Sequence, residues 1–163
     1  MHPLPEGPSV LAVDDDPVNL LVIEASLEPV GYDVRTALDL GEARTLMDGW
    51  RPDVLLLDVM MPGESGIDAC RTWRADRDWD GLPIVLLTAL RAEEHRVSGL
   101  MAGADDFLEK PIDIDALQRT VRRWAATGRQ AGTIPTAGEG IIELAVAMAR
   151  AITTRPRRDT SWG

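Results

Sequence analysis

The 163 residues are 45% hydrophobic, hold a single Cys and carry a formal charge of −10 at pH 7, enough apolar mass for one domain of ordinary size with residues to spare. The lone Cys excludes a disulfide framework, no apolar run approaches the roughly 18 residues of a membrane helix, and the opening MHPLPEGPSV lacks the charged-then-apolar order of a secretory signal; together these point to the cytoplasm. Residues 1–119 hold 10 Arg/Lys against 24 Asp/Glu (−14) and residues 120–163 hold 7 Arg against 3 acids (+4), so the acidic body is not expected to bind nucleic acid directly.

After an N-terminal extension (1–8), the apolar run Val10-Leu11-Ala12-Val13 predicts a strand, followed by a helix over 17–28. Tyr32–Thr36 alternates and predicts an edge strand, then a helix over 39–48. Val54-Leu55-Leu56-Leu57 and a helix over 64–76 come next, then Ile84-Val85-Leu86-Leu87 with a helix over 91–101, and last Asp106-Phe107-Leu108 with a helix over 112–126. Runs one, three and four are apolar on both faces, the pattern of central strands covered by helices on each side. Residues 127–140 read as a Gly/Thr/Ala-rich linker, 141–153 as an apolar helix and 154–163 as a disordered tail. Docking of that helix on the main domain, pairing as a homodimer, or membership of an output domain are all open.

Five βα units imply right-handed crossovers and an α/β, doubly wound, five-stranded parallel sheet, in which ligands bind outside the carboxyl ends of the strands. Reactive residues should therefore follow the apolar runs. Asp14-Asp15-Asp16 follows the first, Asp58 the third, Thr88 the fourth and Glu109-Lys110-Pro111 the fifth. Clustered carboxylates repel one another unless a cation neutralises them, and an all-oxygen donor set selects a hard ion such as Mg2+. Beside such an ion a carboxylate can act as nucleophile toward a phosphoryl group, with the metal, the Lys110 ammonium and the Thr88 hydroxyl stabilising the transferring oxygens.

Four segments, Val13-Asp14-Asp15-Asp16-Pro17, Leu57-Asp58-Val59-Met60-Met61-Pro62 with Gly66, Leu87-Thr88-Ala89 and Phe107-Leu108-Glu109-Lys110-Pro111, give the chain a resemblance over residues 9–126 to the receiver domains of two-component response regulators. The resemblance implies a flavodoxin-like (βα)5 fold with strand order 2-1-3-4-5. It implies Asp58 as phospho-acceptor and Mg2+ held by Asp14, Asp15, Asp58 and the main-chain carbonyl of Met60, with Asp15 the more direct of the acidic pair. Thr88 and Lys110 take the phosphoryl oxygens, Thr88 and Phe107 are the switch residues, and the Lys110-Pro111 peptide is cis. The phosphodonor is a histidine kinase or histidine phosphotransfer protein, and the output is protein contact rather than nucleic-acid or membrane binding. The chain is then not an enzyme in its own right, beyond Mg-dependent autophosphorylation and autodephosphorylation.

Simpler readings exist for several residues. Asp16, before Pro17, suits a helix N-cap; Phe107 suits a core position; Cys70 suits a small buried hydrophobe; His2 and His95 read as solvent-facing. Met60 and Leu90 line the approach to the phosphoryl group in the family, and both are apolar, which predicts a long-lived phosphorylated form. A rival, a phosphatase of the haloacid dehalogenase type, wants an acid two residues after its nucleophile, where Met60 stands. A degenerate receiver used for dimerisation would not need the intact set of Asp14, Asp15, Asp58, Thr88 and Lys110. A receiver cut from a longer regulator with an enzymatic output, in cyclic-dinucleotide turnover or phosphatase chemistry, is the remaining alternative.

Overall fold

The computed structural model describes residues 7–89 and 93–128. Strands and helices alternate: β1 (Ser9–Val13), α1 (Pro17–Leu27), β2 (Asp33–Ala37), α2 (Leu40–Gly49), β3 (Val54–Asp58), α3 (Gly66–Ala75), β4 (Ile84–Ala89), α4 (Glu93–Ala102), β5 (Asp106–Lys110) and α5 (Ile114–Thr127), with short 3-10 turns at Glu28–Val30 and Arg77–Trp79. All strand pairs are parallel, in the order β2-β1-β3-β4-β5. This is the doubly wound, flavodoxin-like arrangement expected from the sequence. The order reverses between β1 and β3, which places a cleft at their carboxyl ends.

Val10–Val13, Val54–Leu57 and Ile84–Leu87 have no exposed surface, as three central strands require, whereas β2 at the edge is only partly covered. The period of two sends alternate side chains into two separate apolar layers. Leu11, Leu55, Leu57 and Leu86 meet Ala43 and Met47 of α2 and Ile67 and Trp73 of α3. Val10, Leu56, Val85 and Leu87 meet Leu20 and Ile23 of α1 and Leu117, Val121 and Trp124 of α5. Each such buried aliphatic side chain contributes about 1.5–3 kcal/mol, so the sheet is a stiff frame for whatever its ends carry.

Asp16, Asp39, Ser65 and Asp113 are N-caps whose side chains accept from amides in the first turn. Asp39 therefore precedes α2 instead of opening it. The strands run further than the apolar runs: Asp58 pairs with Leu87, Thr88 with Glu109 and Ala89 with Lys110, so polar residues at the rim complete the ladders. Leu90, most of the expected linker, the helix at 141–153 and the tail at 154–163 lie outside the described residues. Among the described residues no helix is long and apolar enough to cross a membrane.

Candidate phosphoryl-acceptor site

Because every strand points the same way, the residue after β1, the last of β3, the next-to-last of β4 and the last of β5 reach one rim. These are Asp14, Asp58, Thr88 and Lys110. Asp14 and Thr88 are fully buried and Asp58 is 2% exposed, while Asp15 is open to solvent. The Lys110 ammonium bridges the two buried acids, with Nζ 2.8 Å from Asp14 Oδ2 and 2.9 Å from Asp58 Oδ1. Carboxylate oxygens of Asp14, Asp15 and Asp58 all lie within 4.8 Å of one another.

Neighbours orient these groups. The Asp16 amide donates to Asp14 Oδ1 (2.9 Å), Asn19 Nδ2 donates to Asp14 Oδ2 (3.1 Å), and the Met60 amide donates to Asp58 Oδ1 (3.3 Å). Gly66 opens α3 directly against β3: a Cβ there would lie 2.0 Å from the Asp58 carbonyl oxygen, so only glycine permits the approach. Its amide donates to the Val59 carbonyl at 3.0 Å, which folds the loop back beside Asp58. The Lys110-Pro111 peptide is cis, as the resemblance implied.

Burial pushes the Asp58 carboxyl up to about 6, and the Asp14 charge adds to this; the hydrogen bond and charge of Lys110 and the Met60 amide pull only part of it back. Burial alone would lower Lys110, but its hydrogen bonds to Asp14 and Asp58 outweigh that and hold it above its ordinary value. Three carboxylates against one ammonium leave a surplus of negative charge in a small space. That donor set, all oxygen and with one acid open to solvent, fits a hard divalent cation. Thr88 Oγ1 is enclosed without a hydrogen-bond partner. A buried orphan hydroxyl at the rim is a group awaiting an acceptor oxygen.

The remaining candidates fall into place unevenly. Phe107 is half-buried, packed on the apolar layer shared with α3, and a Cβ on Gly99 of α4 would lie 3.0 Å from its ring. The Met60 side chain is 63% exposed. Asp16 serves as the α1 cap, and Cys70 is fully buried with Sγ 3.7 Å from the Ala102 carbonyl. His95 departs from expectation: it is half-covered, and its Nδ1 is enclosed without a partner. Asn19 was not legible as a site residue, although its position five residues beyond Asp14, in the first turn of α1, is what lets its amide reach back.

A parallel sheet whose carboxyl rim gathers a buried acid pair, an orphan hydroxyl and a bridging lysine defines a receiver-type phosphoryl switch. The family profile of the response regulator receiver domain matches residues 10–122, and the chain belongs to that family. It is 35% identical over 132 residues to the DNA-binding dual master transcriptional regulator RpaA of Synechocystis, a match covering 81% of this chain and 54% of that protein. Among solved structures it resembles a response regulator from Chloroflexus aurantiacus (34% identity, TM-score 0.71, 74% of this chain and 99% of that one). It also resembles the receiver domain of the sensor histidine kinase PA1611 from Pseudomonas aeruginosa, whose structure has a magnesium ion in the active-site cleft (37% identity, TM-score 0.67, 74% and 99%). The chain spans about half or less of the length of the curated relatives it matches first.

Proposed function

We propose that Asp58 accepts a phosphoryl group from a histidine kinase or histidine phosphotransfer protein, and that residues 9–126 are the switch that reports it. The observation that carries this reading is the Lys110 ammonium held between Asp14 and Asp58 at 2.8 and 2.9 Å, a fixed cation beside a nucleophile. Asp14, Asp15, Asp58 and the Met60 carbonyl would hold Mg2+, which supplies charge neutralisation for the incoming phosphoryl oxygens. Asp58 Oδ attacks phosphorus and the donor leaves with its electron pair. Lys110 then exchanges its Asp58 partner for a phosphoryl oxygen, and the Thr88 hydroxyl finds its missing acceptor.

Val18 and Leu21 of α1 and Ile114 of α5 are more than half exposed, close in sequence to Asp16 and Lys110. Exposed apolar side chains on the helices that follow the Asp14 and Lys110 loops would suit a protein phosphodonor, which must lay its histidine against the rim. We place the protein in the cytoplasm, acting through protein contact, with no catalysis beyond gain and loss of its own phosphoryl group. Incubation with a small phosphodonor and Mg2+ should add one phosphoryl mass, located on Asp58; Asp58→Asn should gain none, and removal of the divalent cation should abolish the gain. Phosphorylation elsewhere, or retained by the Asn variant, would refute the assignment.

A further inference from the structure

A cavity of about 510 Å3 lies at the end of the sheet opposite Asp58. Asp48 at the end of α2, Trp50 and Arg51 before β3, and Asp76, Asp78 and Trp79 between α3 and β4 line it. Three carboxylates face one guanidinium there, and among the described residues no Arg or Lys forms a salt bridge with Asp48, Asp76 or Asp78. Both α2 and α3 end beside it, adding the negative ends of two helix dipoles. Both indoles already attract planar cations: the Arg35 guanidinium stands 4.3 Å from the Trp50 ring centre and that of Arg51 stands 4.5 Å from Trp79, where it also donates to the Asp78 carbonyl. The cavity is the space left after Arg51 is in place.

We propose that this cavity is a guanidinium-binding site and that its occupant is the chain's own Arg155-Pro156-Arg157-Arg158 segment. That segment lies outside the described residues; charge and tether argue for it. It carries three arginines within four residues, in the stretch 120–163 whose net charge is +4. Since α5 runs back from the Lys110 rim, the described chain leaves at the same end of the sheet as the cavity. From residue 128 to 155 are 27 residues (155 − 128). With the helix expected over 141–153, the 13 residues from 128 to 141 would span about 20 Å as coil and the helix about 20 Å more, comparable to the width of a domain of this size. Tethering at that length supplies an effective concentration on the order of millimolar, enough for contacts that are individually weak. The engagement is ion pairing and stacking, so salt weakens it.

Lys110 is the chain's only lysine and is engaged with both buried acids, so Arg157→Lys adds a single free side-chain amine. The full chain carrying this change is treated with a water-soluble carbodiimide, which condenses an amine and a carboxylate to an amide with loss of water, and is mapped by mass spectrometry. The new amine should join Asp48, Asp76 or Asp78 at least about fivefold more often than any other carboxylate, at a yield independent of protein concentration, as a tether requires. Excess Nα-acetyl-arginine amide, which has a guanidinium but no free amine, or salt at about 1 M where the Debye length is about 3 Å, should suppress the product severalfold. Asp48→Asn with Asp78→Asn, which leaves the Asp76 cap intact, should lower it similarly. Cross-links spread over the acidic surface, products joining two molecules, or a yield indifferent to Nα-acetyl-arginine amide would overturn the proposal. None of these readouts depends on phosphorylation.

Discussion

Asp58→Asn is expected to stabilise the metal-free protein. The Asp58 carboxyl is 2% exposed and is pushed from 3.8 to about 6, first by burial and then by Asp14, with Lys110 offsetting only part. At about 1.4 kcal/mol per unit, the ionised carboxylate at neutral pH costs up to about 3 kcal/mol. Asn fills the same volume, its Oδ1 can still accept from the Met60 amide, and Lys110 keeps Asp14 at 2.8 Å. The net gain should therefore be about 1–3 kcal/mol. The sign follows from a raised acid: below about pH 4 the carboxyl is neutral in both folded and unfolded chain; as pH rises toward 6 the unfolded chain ionises first and folded stability falls; above 6 the penalty is constant. Urea unfolding in a chelator, followed by tryptophan fluorescence, should show the variant midpoint about 1 M higher at pH 7.5, given slopes of about 1–3 kcal/mol per M. That advantage should shrink toward pH 4. Equal midpoints at pH 7.5, or an equal gain at both pH values, would refute the reasoning.

At Gly66 an Ala Cβ would meet the Asp58–Val59 backbone, 2.0 Å from the Asp58 carbonyl oxygen and 3.1 Å from Val59 Cα, so Gly66→Ala should cost at least about 2 kcal/mol in urea and slow phosphorylation; wild-type stability would contradict the close approach. Thr88→Val removes a buried orphan hydroxyl, so the unphosphorylated protein should hold its stability or gain up to about 1 kcal/mol, while phosphorylation-dependent change in amide exchange across α4 is lost. A stability loss on that substitution would mean that the hydroxyl has a partner. Met60, two residues after Asp58, is apolar, so under the proposed function it would orient no attacking water; the phosphorylated form should persist far longer than seconds, and Met60→Asn should shorten it. Half-loss of the wild-type phosphoryl group within seconds would contradict this.

The fold and the convergence of the candidate residues at one rim were legible because both are written in short-range patterns. Apolar runs on both faces marked β1, β3 and β4 as central, and the repeated βα order, which makes the strands parallel, then put their last residues on one rim. Asp14, Asp58 and Thr88 could be read off as the residues that follow those runs, and Lys110 as the one that closes the fifth strand. Boundaries were less legible, since Asp39 and Asp113 are as well suited to a helix's first turn as to its cap, and only backbone geometry separates the two. Long-range partners left no local trace. Arg74 donates to Asp105 Oδ2 at 2.5 Å and to the Gly103 and Trp79 carbonyls, pinning the loop after α4, yet 31 residues separate Arg74 from Asp105. His95 was read as solvent-facing, whereas the fold covers more than half of it. Gly66 was visible as part of a motif, but not the reason for it, because the carbonyl it accommodates belongs to another element.

Taken with the function proposed for it, the rim carries three unsatisfied features that one event would relieve together. Asp58 is ionised only against burial, Thr88 Oγ1 has no acceptor, and Lys110 is divided between two acids. An aspartyl phosphate supplies acceptor oxygens to the hydroxyl and the ammonium and moves the charge away from the buried carboxyl position. Thr88 and Lys110 lie on adjacent strands whose far neighbours, Phe107 and Gly99, pack β5 against α4. Under that proposal a shift of either strand end would reach that packing, with free energy released as phosphorylation satisfies these groups. The same stiff core that stabilises the sheet confines the motion to its rim, because Val85, Leu86 and Leu87 have no exposed surface and no room to move.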